Sequence, residues 1–288
     1  MASVLEHLIA LLSLERIEEN LYRGQSQDLG WGTVYGGQVV GQALSAALAT
    51  VPNDRQAHSL HAYFLRPGDV SAPIVYDVER TRDGSSFTTR HVKAIQHGHP
   101  IFDMSASFQK LEGGFEHQAP MPTVPPPEDV PTEQERLKPF VKAFPEFMQE
   151  RILAERPIEI RTVNEPDPSL QGVHPPQRAV WFKTQQKVAD APVLHQALLA
   201  YASDFSFITT ALKPHGKTWI SPGMQVASID HAVWFHGAFR VDDWLLHVMD
   251  SPRAIGARGL VRGQIFTRDG RLVASTAQEG LIRYREEG

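Results

Sequence analysis

Two stretches of this chain are apolar on nearly every side when drawn as helices: "VYGGQVVGQALSAALATVP", residues 34–52, and "VLHQALLAYASDFSFITTAL", residues 193–212. A helix with one apolar stripe docks on a surface, whereas one that is apolar all round has to be enclosed. The first stretch follows a strand signal near "RIEENLYRGQ" and precedes four strand-like runs, "HSLHAYFLRPG", "PIVYDVERT", "SFTTRHVKAIQ" and "IFDMSASFQ". Turn signals such as Arg82-Asp83-Gly84 separate them. The second stretch follows "PIEIRTV" and "RAVWFKTQ" and precedes "QVASIDHAVWFHG", "DDWLLHVMDS", "RGLVRGQIFT" and "RLVASTAQEGLIR". Each half therefore reads as strand, buried helix, antiparallel meander. A curved antiparallel sheet around one helix is the hotdog arrangement, so the expectation is an α+β double hotdog of two tandem units. Gly36 and Gly37 would let the sheet approach the first turn of the first helix.

The order of elements, rather than residue identity, carries the duplication. Setting His61 on His231 brings Ser105 onto Ser275, yet only five identities fall between residues 58 and 109. Six prolines lie between Pro120 and Pro131, in "PMPTVPPPEDVP". Proline fixes φ and lacks a donor, so this segment joins neither a helix nor a central strand. The expected organisation is a first unit over 1–118, a proline-rich linker with a helix broken at Pro139 and Pro145 over 119–150, and a second unit over 151–288.

Composition excludes several chemistries. There is no cysteine, which removes disulfides, thiolate nucleophiles and Cys-ligated zinc and suits a reducing cytoplasm. A net charge of −5 argues against a nucleic-acid partner. No apolar run is long enough for a membrane span, and Val4, Leu5, Leu8, Leu11 and Leu12 mark a docking helix rather than a signal peptide.

Motifs for an α/β-hydrolase serine, a phosphate-binding loop, a dinucleotide fold and an H-E-x-x-H zinc site are missing. His58 with His61 and His97 with His99 lack an acidic partner that would complete a metal set. Asp230 and His231 are strand neighbours, which point to opposite faces and so do not pair.

Asp204 stands out. An ionised carboxylate within an apolar segment costs on the order of several kcal/mol unless compensated. Either it reaches solvent or caps a helix break, or it is buried among donors, for which Ser228 and Gln278 in the following strands are candidates. Spacing does not choose between these readings.

Longer matches do. The stretches "LYRGQSQDLGWGTVYGGQVVGQAL", "HSLHAYFLRPGD", "RDGSSFTTRHVKAIQ", "PIFDMSASFQ" and "GFEHQAPMP" in the first half, and "YASDFSF", "ASIDHAVWFH", "WLLHVMDSPRAIGARG" and "VASTAQEG" in the second, resemble bacterial acyl-CoA thioesterase II. That family is similar to the peroxisomal acyl-CoA thioesterases of eukaryotes. The resemblance implies a double-hotdog fold and hydrolysis of medium- to long-chain acyl-CoA by an Asp, a hydroxyl residue and a Gln around a water. Carried across, these are Asp204, Ser228 and Gln278, all in the second unit, with serine where the family leads one to expect threonine. It implies no metal or organic cofactor, and a homodimer or homotetramer.

Two other readings stay open: a hotdog enoyl-CoA hydratase or dehydratase, and a non-catalytic acyl-CoA binding module. The first usually has a histidine five residues after its Asp, and Thr209 stands there. Candidate cations for the CoA phosphates are Arg66, Arg90, Lys93, Arg258 and Arg262.

Overall fold

The computed structural model describes residues 2–144, 146–165 and 172–285, and for Ala143, Phe147 and Met148 the backbone alone. Helix α1 (Val4–Leu12) buries Leu5, Leu8 and Leu12, and a reciprocal Ser3/Glu6 capping box starts it. A short hairpin follows, β1 (Glu15–Glu18) and β2 (Leu21–Gly24), then helix α2 (Gly36–Leu48). Strands β3 (Arg55–Phe64), β4 (Ile74–Asp83), β5 (Phe87–Gln96) and β6 (His99–Lys110) complete the first half.

Between the halves come α3 (Glu133–Leu137), a 3₁₀ segment (Lys138–Ala143) and α4 (Glu146–Leu153), a helix interrupted at Pro139; Pro145 lies outside the described residues. Strands β7 (Ile158–Val163) and β8 (Gln177–Thr184) lead to helix α5 (Pro192–Ala202) and a 3₁₀ segment (Ile208–His215). Strands β9 (Met224–Ser228), β10 (Asp230–Phe235), β11 (Leu245–Ile255), β12 (Arg258–Thr267) and β13 (Leu272–Tyr284) follow.

Among the described residues the strands form one sheet in the order β1-β2-β4-β5-β6-β3-β10-β13-β12-β11-β8-β7, with β9 added on β13. Read inward from either end, the two halves present their strands in the same order. They join where β3 pairs antiparallel with β10, from Ser59 opposite Trp234 to Tyr63 opposite Asp230. This is the double hotdog.

The literal alignment of the halves needs correcting. His61 is exposed on the outer face, whereas His231 is 1% exposed on the inner one. Side chains alternate with period two, so setting one on the other turns the residues of β3 to the wrong face relative to those of β10.

α2 is enclosed as its composition requires, with Val40, Ala43, Leu44 and Ala47 at zero exposure. Its buried polar groups are satisfied: Gln42 Nε2 donates to the carbonyls of Leu11 and Gln25, and Gln42 Oε1 accepts from the Tyr76 hydroxyl.

The second apolar stretch is not one helix. α5 stops at Ala202, Ser206 has φ of 58°, and the 3₁₀ segment packs on β11, β12 and β13. The reason is the local run of hydroxyl side chains that compete with the helix ladder. Ser203 Oγ donates to the Ala200 carbonyl, and Thr209 and Thr210 both donate to that of Ser206.

The glycines at the start of α2 also serve a different approach from the one expected. A Cβ on Gly37 would stand 2.3 Å from the Tyr201 carbonyl oxygen, so what they admit is α5 and the turn after it, alongside Phe64 at the end of β3. The proline-rich segment is no loose tether. Trp181 Nε1 donates to the Pro125 carbonyl, Arg161 to those of Pro127 and Val130, and Val130 packs with Trp181, Leu246 and Phe266.

Candidate active site

The turn from Ser203 to Phe207 carries Asp204 away from the apolar interior of α5 and leaves it half-buried. Gln278 and Gly280 lie on the inner face of β13, and Ser228 on β9 stands opposite Gly280, so Ser228 faces the same way. Register alone therefore brings Ser228 and Gln278 together beneath the turn.

The three residues meet through the Gln278 amide. Its Nε2 donates to Asp204 Oδ1 at 2.7 Å and to Ser228 Oγ at 3.2 Å. Gln278 is fully buried, and its Oε1 has no hydrogen-bond partner among the described residues. The amide orientation follows from chemistry: a half-turn would set Oε1 against the carboxylate.

The first half closes the other side, although the three candidate residues all lie in the second unit. The would-be Cβ of Gly36 lies 2.8 Å from Asp204 Oδ2 and 3.0 Å from the Phe64 ring. No side chain caps the N-terminus of α2, and its first residue, Gly36, lies beside the carboxylate. Tyr35, just before this helix, donates to the Tyr201 carbonyl and stacks on Phe205. Burial, and then the Asp204 charge, push its phenol well above the ordinary range. It stays a neutral donor.

Behind the amide stands His231. Its Nδ1 lies 3.3 Å from Gln278 Nε2 and its Nε2 2.8 Å from Ser203 Oγ. Burial lowers its pKa, opposed by Asp204. Phe207 meets this imidazole edge-on and stacks against a second buried one, His247, whose pKa burial depresses to about 3. Asp230, by contrast, faces outward and accepts from the Glu279 amide.

The sequence singles out Asp204, Ser228 and Gln278 as candidates and marks the glycines that open α2, but it points to neither Tyr35 nor Ser203, and of His231 it says only that it does not pair with Asp230. For His231 a signal existed, because alternation along "DHAVWF" places it with Val233 and Phe235, both buried. The contact of Gly36 spans 168 residues and leaves no local trace.

Of the candidate cations, Arg90 is 1% exposed and held by Thr50 and Asp83, which removes it as a phosphate ligand. Arg258 and Arg262 pair with Glu279 and Asp250, Arg66 donates to the Pro100 carbonyl, and Lys93 is exposed on the outer side of β5. Among the described residues no group of three His, Asp or Glu side chains is placed to hold a metal. His58 instead pairs with Ser107, and His97 with Asp69.

Comparison with known proteins agrees with this architecture. A family profile described as acyl-CoA thioesterase matches residues 147–281, and one described as acyl-CoA thioesterase N-terminal domain matches residues 26–109. Acyl-CoA thioesterase 2 of Haemophilus influenzae is 50% identical over 99% of this chain and 100% of its own. Human acyl-coenzyme A thioesterase 8 is 42% identical over 96% of this chain and 89% of its own. The crystal structure of an acyl-CoA thioesterase II from Mycobacterium marinum superposes with a TM-score of 0.79 at 41% identity, covering 98% of this chain and 99% of that one.

Proposed function

The chain belongs to the acyl-CoA thioesterase II family and hydrolyses acyl-CoA thioesters, and from that premise we propose that Asp204, Ser228 and Gln278 carry out the hydrolysis. The observation that supports this most directly is the Gln278 amide, within hydrogen-bonding distance of both Asp204 and Ser228.

The chemistry asks little of the protein beyond a positioned water and a place for the oxyanion. Sulfur conjugates weakly with the thioester carbonyl, and the departing thiol, with a pKa of about 8.5 by analogy with cysteine, leaves without a strong acid. Asp204 accepts a proton from the attacking water. Ser228 and Gln278 hold that water, with Gln278 Oε1 as an acceptor for its second proton. Such general-base assistance is worth about 10²- to 10⁴-fold. The oxyanion is placed at the N-terminal amides of α2, around Gly36 and Gly37, where the dipole favours negative charge.

The substrate range we assign is medium- to long-chain acyl-CoA, the assembly a homodimer or homotetramer, and the location cytoplasmic. These extend the family resemblance; the absence of cysteine suits the location. No helix among the described residues is long and apolar enough to cross a membrane.

The test is thiol release across an acyl-CoA series, wild type beside Asp204→Asn, with folding checked by circular dichroism. A folded variant that loses at least about a hundredfold supports the assignment, and one that keeps substantial turnover rejects it. Single turnover in ¹⁸O-water separates base from nucleophile: label entering the Asp204 carboxylate means direct attack through an anhydride.

A further inference from the structure

We propose that His231 is a positioning residue, whose imidazole, anchored through Nε2 to Ser203 and accepting at Nδ1, fixes the Gln278 amide with its NH₂ toward Asp204 and its Oε1 toward the water. This deepens the hydrolytic reading above and rests on it.

Proton accounting supports the relay. Ser203 Oγ has one proton, and it goes to the Ala200 carbonyl at 2.9 Å. At 2.8 Å from His231 Nε2, the same oxygen therefore accepts, which puts the ring proton on Nε2 and leaves a lone pair on Nδ1. Gln278 Nε2 has two protons. One is held by Asp204 at 2.7 Å; the other is shared between Ser228 Oγ at 3.2 Å and His231 Nδ1 at 3.3 Å. Turning the amide over would oppose its oxygen to a carboxylate and an imidazole lone pair together.

The relay is rigid because it is enclosed. Ser203 and Gln278 are fully buried and His231 is 1% exposed. Ser203 is also the neighbour of Asp204 in the chain, so β10, β13 and the turn are tied to one another at the reacting carboxylate. The titratable groups facing the imidazole are Asp204 from the turn and His247 from β11. The paired strand β3 presents the apolar Leu60 and Ala62 on that side, while His61 and Asp230 lie on the outer face.

The arrangement has a pH signature. Burial holds His231 below the ordinary imidazole range, so the lone pair is present at neutral pH. Protonation at Nδ1 would set a donor against the Gln278 NH₂, and the amide would have to turn and release Asp204.

The test compares wild type, His231→Gln, His231→Asn and Asp204→Asn in one thiol-release assay, with imidazole ¹⁵N spectra of the wild type. Asparagine places an amide oxygen where Nδ1 stands, whereas glutamine reaches toward Ser203 and leaves Nδ1 unreplaced. We expect His231→Gln to lose about a hundredfold in kcat with KM within about threefold, and His231→Asn to recover most of that loss. His231→Asn should also lack the part of the acid limb of kcat that comes from the imidazole. The spectra should show the Nε2–H tautomer at pH 7. A folded, fully active His231→Gln beside an inactive Asp204→Asn overturns the positioning role alone, as does an Nδ1–H tautomer. An Asp204→Asn enzyme that keeps turnover overturns the site assignment itself, and the positioning role with it. If His231→Gln does not fold, His231→Asn and the wild-type spectra still decide the matter.

Discussion

The Cβ that Gly36 lacks would stand 2.8 Å from Oδ2 of Asp204, closer than a carbon and an oxygen tolerate without a shift. The backbone at Gly36 is ordinary first-turn helix, so alanine fits its conformation and should favour the helix by up to about 1 kcal/mol. Gly36→Ala therefore separates stability from geometry. Its melting temperature should hold or rise while kcat falls on the order of tenfold to a hundredfold, because Asp204 or the Phe64 ring has to yield. A variant as active as wild type would show that the carboxylate position is not critical.

Ser228 offers a graded test. Ser228→Ala removes the hydroxyl that takes a share of the Gln278 amide protons, an interaction worth about 0.5–1.5 kcal/mol, or roughly two- to tenfold in kcat if it is expressed in the transition state. Ser228→Thr keeps the hydroxyl, stiffens χ1 and suits a strand, so activity should equal or exceed wild type. Steady-state kinetics of both decide it. Full activity in Ser228→Ala removes Ser228 from the proposed set.

How far these relationships could be read beforehand depended on their range along the chain. Period-two alternation and turn signals are local, and they yielded the two meanders. Asp204 was conspicuous because a charge in an apolar run demands an explanation. The break beside it was hidden, since residues 193–212 are apolar all round and satisfy a helix pattern; Ser203, Ser206, Thr209 and Thr210 were the overlooked signal. The enclosing role of the first half was invisible for another reason. Gly36 meets Asp204 through the packing of α2 against α5 and the turn after it, across 168 residues that no window of sequence contains.

Glu165 pins the segment that follows Asp204. It lies between Arg178 Nη2 at 2.9 Å and Lys213 Nζ at 3.0 Å, and Arg178 also donates to the Ser206 carbonyl and to Thr209. All three ionic side chains are 15% exposed or less, so Glu165→Gln leaves two largely enclosed cations without their counter-charge. The expected loss is about 1.5–3 kcal/mol of stability, measured by urea unfolding. Slower turnover should accompany it as the turn loosens. A variant of unchanged stability would mean that the cations find other partners and that the network does not hold the turn.

Acid stability should report the buried histidines. His247 titrates near 6.5 when unfolded and is depressed to about 3 in the fold by burial, reinforced by His231. The unfolded chain therefore binds more protons between these values, and stability falls as pH drops from about 6.5 toward 3, at about 1.4 kcal/mol per pH unit for each such group. Carboxylates with lowered pKa values, such as Glu165 and Asp242, add their own losses below about pH 4, so the window from about 4.5 to 6.5 isolates the imidazoles. His247→Gln can keep the contact with Thr276 and cannot titrate, so its stability should vary less steeply across that window than wild type. Urea unfolding at half-unit pH intervals measures both slopes. Identical slopes would mean that His247 gains protons in the native state as readily as in the unfolded one, and would overturn the picture of a dry, neutral imidazole stacked beneath Phe207.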